Sequence, residues 1–184
     1  VKERGVITPA TVRQKEDGRY ELVSGHRRKR ACELAGFETL RSEIVDLNRD
    51  EATILMVESN FQRSEILPSE KAFAYKMRLE AMKRQGFRSD LTSAPVGQKF
   101  SVEQIADNST DSKTQIQRYV RLTNLVPELL DMVDEKKIAF NPAVELSYLD
   151  ESQQRDFLEA MNDTQNAPSL SQAQQLKKMA QQGE

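Results

Sequence analysis

The chain reads as an α+β protein in which helix predominates, and three observations carry that reading. A β-branched stretch near the start and a second strand-like stretch, Arg19 to Ser24, are joined by Asp17-Gly18, a strong short hairpin signal. From Asn48 onward the apolar residues recur at helical spacing instead. Between Phe100 and Leu125 two Ser-x-x-Gln starts follow closely, Ser101 with Gln104 and Ser112 with Gln115, which predicts two short helices with a tight break.

The 184 residues suffice for one medium domain or two small ones. No apolar run approaches the length of a membrane span and no secretory leader opens the sequence, so a cytoplasmic placement is expected. One cysteine, Cys32, and one histidine, His26, argue against a disulfide framework, a zinc site and a Cys-His catalytic pair. A formal net charge of -2 gives no overall basic bias, so any nucleic-acid contact must come from local patches. Two exist: Arg27, Arg28, Lys29 and Arg30, and Lys113, Arg118 and Arg121.

Taken in order, Val6 to Arg13 has strand composition but carries Pro9, so it should lie at a sheet edge or begin after the proline. Lys15 to Gly18 forms the turn, and Arg19 to Ser24 returns as a second strand with Tyr20 and Leu22 on one face. Gly25 breaks it, and His26 to Ala35 is a helix stopped by Gly36. An Arg-rich helix opened by glycine offers backbone N–H groups and guanidinium forks to an anion such as phosphate, although four adjacent cations can equally form a solvated face. Thr39 to Leu47 is a third strand, and Asn48 with Glu51 starts a helix toward Asn60.

Pro68 and Ser69 open a further helix that Gly86 can close, with Phe73, Met77 and Ala81 as a core-facing stripe. Gly86 to Lys99 has no clear period and reads as a loop or hinge. Ile105 and Ala106 on one helix, and Ile116, Tyr119 and Val120 on the next, would then pack together as a helix-turn-helix. Its second helix carries Ser112, Lys113, Thr114, Gln115, Gln117, Arg118 and Arg121, donors and acceptors suited to base edges and phosphates in a major groove. An ordinary helical hairpin is the alternative, because Ser109 and Thr110 stand where an apolar residue and a glycine usually shape the turn. Further helices follow over Pro127 to Val133, Pro142 to Leu149, Ser152 to Met161 and Ser169 to about Gln181, with a break from Asn162 to Pro168. The last, with Leu170, Ala173, Leu176 and Ala180 on one side, reads as a packing or linker helix.

GVITPATVR, SGHRRKRA, SNFQRSEILPSEKAFAY and the helix-turn-helix with NLVPELLDMV behind it occur in one order. Together they resemble the ParB family of partition proteins, over Gly5 to about Leu158. The resemblance implies a small mixed α/β N-terminal domain, residues 1–67, followed by an all-α DNA-binding domain, residues 68–184, with the helix-turn-helix at 101–125. It implies binding to a centromere-like site on a chromosome or plasmid, spreading along neighbouring DNA, association with the nucleoid or a plasmid, and a partner ATPase. It also implies CTP and magnesium as ligands. The phosphate motif then corresponds to Gly25, His26, Arg27, Arg28, Lys29, Arg30 and Ala31. The second motif corresponds to Ser59, Asn60, Phe61, Gln62 and Arg63, with Asn60 toward phosphate or magnesium. His26 and Ser59 stand where the family has the glutamates associated with magnesium and CTP hydrolysis, so a weak or absent CTPase is expected and no catalytic residue is assigned. The family has further residues before this start and a C-terminal dimerisation domain, so the chain reads as a central fragment that would dimerise elsewhere. Two other readings compete. One is a nucleotide-independent transcriptional regulator. The other is a sulfiredoxin-like enzyme, which fails because Gly25 rather than a cysteine precedes His26 and Arg27.

Overall fold

The computed structural model describes residues 6–61, 66–89, 97–107, 109–164 and 166–182. Two compact units emerge: Val1–Arg63 with Glu80–Ser93, and Ser64–Leu79 with Ala94–Glu184.

The first unit is built on a three-stranded sheet. Strand β1 (Ala10–Gln14) starts directly after Pro9, which removes the proline from the ladder. That start lets β1 take the central position in the order β2-β1-β3, so the second of the two sequence alternatives holds and β1 is not an edge. It pairs antiparallel with β2 (Tyr20–Ser24) and parallel with β3 (Ser42–Val45), the latter shorter than the span from Thr39 to Leu47. The hairpin closes as Asp17-Gly18 predicts, with Lys15 N donating to Arg19 O at 2.8 Å and Gly18 at φ +79°. Helix α1 (His26–Ala35) follows β2 and ends at Gly36, as read from sequence. Helix α2 (Arg49–Phe61) has the expected reciprocal cap. Asn48 Oδ1 accepts from Glu51 N at 3.0 Å, and Glu51 Oε2 accepts from Asn48 N at 2.8 Å. Ala10, Val23, Cys32, Ala52 and Val57 are buried. Asp50 is buried too, accepting from Arg84 Nε at 2.7 Å.

The second unit is helical. It comprises the first part of α3 (Pro68–Ser89), then α4 (Gly97–Asp107), α5 (Lys113–Leu122), α6 (Pro127–Asp134), α7 (Phe140–Leu146), α8 (Glu151–Thr164) and α9 (Leu170–Gln182). Leu122, Leu129, Val133, Ile138, Leu146 and Ala173 form part of one buried cluster that joins α5, α6, α7 and α9. Gln154 on α8 is 1% exposed and fully used. It accepts from Val126 N at 2.7 Å and donates to the carbonyls of Asn124 and Leu149, each at 3.0 Å.

Several boundaries differ from the sequence reading. Helix α3 continues through Gly86 to Ser89, because one interior glycine weakens a helix by only about 1 kcal/mol and does not end it. Helix α4 begins at Gly97, so Ser101 lies inside it rather than capping it. The expected loop therefore shrinks at both ends, and its centre, residues 90–96, lies outside the described residues. Helix α8 likewise runs to Thr164, past the expected break at Asn162. In the stripe on α3, Ala81 is buried, but Phe73 and Met77 are 47% and 40% exposed. Ala72, Tyr75 and Leu79 are the inward residues there, a neighbouring face of equal apolar strength.

Candidate nucleic-acid interface

The break between α4 and α5 forms without a glycine because a serine side chain does the work. Ser109 N donates to Ala106 O at 3.2 Å, ending α4. Ser109 Oγ then accepts from Asp111 N at 3.3 Å and donates to Asp111 O at 3.0 Å, so the described turn residues keep negative φ. Asp111 ties the turn to α3 by accepting from Lys71 Nζ at 2.8 Å and Tyr75 Oη at 2.7 Å. Burial pushes the Asp111 carboxyl up, but these two hydrogen bonds and the lysine charge outweigh it and leave the group below the ordinary carboxylate range. Burial, with the hydrogen bond to Asp111, pushes the Tyr75 phenol up, so it remains a proton donor. Neither Lys71, Tyr75 nor Asp111 was marked from sequence. The only local signal was an aspartate immediately before the cap.

Ser112 then caps α5, its Oγ accepting from Gln115 N at 3.3 Å, as the second Ser-x-x-Gln predicts. Ile116 and Leu122 are fully buried and fix which side of α5 faces inward. The seven predicted DNA residues consequently divide. Thr114, Gln117 and Arg118 are exposed and, at i, i+3 and i+4, share one face. Ser112 is exposed but engaged in capping, and Gln115 is half-buried. Lys113 pairs with Glu103 on α4. Arg121 turns back onto the protein, with Nη2 donating to Ser147 O at 3.1 Å and the guanidinium 3.9 Å over the Tyr148 ring.

The other basic cluster sits at the start of α1. Gly25 adopts φ +107°, and a Cβ there would lie 2.8 Å from Ala10 Cβ, so only glycine lets β1 and the helix start approach. No side chain caps this helix. Its first-turn N–H groups, which like those of every helix have no intrahelical partner, form the positive end of the dipole, an arrangement that suits an anion. Arg28 donates to the carbonyls of Thr8 (2.9 Å) and Pro9, binding the segment before β1. Lys29 and Arg30 lie 3.8 and 3.4 Å from Glu33. His26 and Arg27 are exposed, and neither makes an ion pair among the described residues. Asn60 is half-buried near the end of α2, beside Ser59, whose Oγ donates to Met56 O at 2.8 Å. Arg63 and Gln62 lie outside the described residues. Among the described residues no three His, Cys, Asp or Glu side chains gather as a metal site, and no helix is long and apolar enough to cross a membrane.

The described residues thus comprise a helix-turn-helix carried on a helical unit and a small sheet unit with an Arg-rich helix start that no side chain caps. The model of the ParB N-terminal domain matches residues 1–61 and that of the ParB HTH domain matches residues 95–182. This chain belongs to the ParB family. It is 30% identical over 150 residues to the chromosome-partitioning protein Spo0J of Thermus thermophilus, covering 82% of this chain and 49% of the relative. It is 30% identical over 138 residues to a nucleoid occlusion protein of Bacillus cereus, covering 75% and 42%. The chain thus spans about half the length of the curated relatives it matches. The fold resembles a crystal structure of C-terminally truncated ParB from Caulobacter crescentus complexed to the centromeric parS site. That match has TM-score 0.51 and 21% identity and covers 94% of this chain and 83% of that one. A second structure of that protein, with CTP-gamma-S, matches at TM-score 0.32, too loosely to transfer a ligand.

Proposed function

We propose that this chain is the DNA-reading part of a partition protein and binds a centromere-like duplex through the exposed face of α5. The observation that carries this reading is the alignment of Thr114, Gln117 and Arg118 on one open face, opposite the buried Ile116. Arg118 would contact a guanine edge or a phosphate, and Gln117 an adenine edge. The chain would act as a homodimer, spread from its site and engage a partner ATPase.

The α1 start would hold the phosphates of CTP. Its open N–H groups and the exposed Arg27 fit an anion, with Asn60 and Arg63 as the remaining contacts and Asn60 toward magnesium. Arg28, already donating to two backbone carbonyls, would act there mainly by holding the segment before β1. That engagement, with His26 and Ser59 in place of carboxylates, favours a second reading, a nucleotide-independent regulator. Calorimetric titration with CTP, ATP and GTP in magnesium separates the two. Selective CTP binding supports the gated clamp, and no binding leaves the regulator.

The test of DNA reading is selection of duplexes from a randomised library, followed by titration against a scrambled duplex over a range of salt. Arg118→Gln should make the slope of log K against log salt shallower by about one if Arg118 meets a phosphate. If it meets a guanine, the variant should lose about 1–3 kcal/mol at one position of the site only. A wild-type chain that prefers no sequence overturns the proposal.

A further inference from the structure

Helix α9 is more than a packing element, because it reaches the same ring that holds Arg121. Lys177 Nζ lies 3.6 Å over the Tyr148 ring and 2.8 Å from Glu145 Oε2 on α7. Arg121, from the last turn of α5, lies 3.9 Å over that ring and donates to Ser147 O at the C-terminal cap of α7. Each cation is attracted to the ring face. The two cations repel one another, and the half-buried Glu145 offsets that repulsion by neutralising Lys177. Arg121 gains a further favourable contact from the carbonyl end of a helix dipole. Its Nε is buried without a hydrogen-bond partner, which marks a side chain committed to the protein rather than to solvent or a phosphate.

We propose that Arg121 is a positioning residue, and that the Arg121–Tyr148–Lys177 stack, supplied by α5, the turn after α7 and α9, sets how α5 presents Thr114, Gln117 and Arg118 to DNA. This rests on the DNA-binding reading above. Arg121 belongs to α5, so loosening its far end would tilt the helix about its fixed start at Ser112 and degrade contacts at the exposed face.

The test measures affinity of the full chain for its selected duplex and a scrambled duplex, well below the melting midpoint, with salt varied. Arg121→Gln should weaken specific binding about tenfold with an unchanged salt slope, whereas Arg118→Gln makes that slope shallower if Arg118 meets a phosphate. Tyr148→Phe, which keeps the ring, should bind within about twofold of wild type, and Tyr148→Leu should match Arg121→Gln. The double variant should be no weaker than either single one, since both remove the same stack. If Tyr148→Leu loses helical circular dichroism, Lys177→Gln replaces it in the cycle. A slope shallower by about one in Arg121→Gln makes Arg121 a phosphate contact and overturns the proposal. So do additive losses, and so does a lower melting temperature with unchanged affinity, which would be a role in folding alone. Failure of the wild-type chain to bind either duplex overturns the DNA-binding reading and the stack proposal with it.

Discussion

Helices α1 and α5 have the same length and similar basic character, but their ends are made in opposite ways. Helix α1 is bounded by glycines, Gly25 and Gly36, both in left-handed conformations and with no side-chain cap at the start. Helix α5 is bounded by side chains, Ser112 at its start and Gln154 on the loop beyond its end. Each helix turns one arginine inward, Arg28 to the carbonyls of Thr8 and Pro9, and Arg121 to Ser147 and Tyr148, and leaves another exposed, Arg27 and Arg118. The difference at the N-termini follows directly. An uncapped start offers backbone amides to a bound anion, whereas a capped start satisfies its own and presents side chains instead. Similar composition thus produces a start with uncapped backbone amides in one unit and a capped start beside an exposed polar face in the other.

The largest expected effect comes from removing what holds the end of α5. Gln154→Leu strands Val126 N and the carbonyls of Asn124 and Leu149 in a buried position, at a cost of about 4 kcal/mol. Three of the four tyrosines, Tyr75, Tyr119 and Tyr148, lie in this unit, so denaturant unfolding followed by tyrosine fluorescence reports mainly on it. An unchanged midpoint would mean that packing alone fixes the loop after α5.

Next in size is Gly25→Ala, which adds left-handed strain to a Cβ overlap with Ala10 and should destabilise the first unit by about 3 kcal/mol. Amide exchange should accelerate over α1 and leave α5 unchanged. The proposed cradle sharpens this test, since nucleotide binding should fall with α1 while duplex binding persists.

These ends also show what the sequence made legible. Asn48 with Glu51 and Ser112 with Gln115 act within four residues, so pattern alone located them. Ser101 with Gln104 has the same pattern and lies within α4, because nothing local records that the helix begins at Gly97. Phe73 and Met77 made an apolar stripe, but the partner of α3, invisible in sequence, selects the neighbouring face with Ala72 and Tyr75. Arg121 fell correctly on the polar side of α5. Its engagement was hidden because Ser147 lies 26 residues further on. The succession of strands and then helices was readable because Asp17-Gly18 marks the hairpin and helical spacing of apolar residues prevails from Asn48 onward. The division of labour among the arginines was not, because it depends on long-range contacts.

Ser112→Ala removes the side-chain cap and makes α5 resemble α1 at its start, for a loss of about 1 kcal/mol. Thermal unfolding measures the cost directly. The same variant should leave the exposed face of Thr114, Gln117 and Arg118 in place, so a loss of duplex binding larger than the stability change would identify Ser112 as a DNA contact as well.

The smallest effect is conditional on pH and concerns the turn that aims α5. Asp111 is held below its ordinary value of 3.8 against the opposing push of burial, by hydrogen bonds from Lys71 and Tyr75. A carboxylate whose folded value is depressed stabilises the native state at pH above its unfolded value, and that contribution disappears as pH falls through the folded value. Asp111→Asn lacks the charge at every pH. The melting temperature of wild type should therefore exceed that of Asp111→Asn by a constant margin at neutral pH, and the margin should narrow as pH drops below about 4. A margin that persists undiminished at the lowest pH where both fold would mean that the geometry of the Tyr75 and Lys71 hydrogen bonds, rather than the charge on Asp111, anchors the turn. The start of α5 would then owe its position to shape, as the start of α1 does at Gly25.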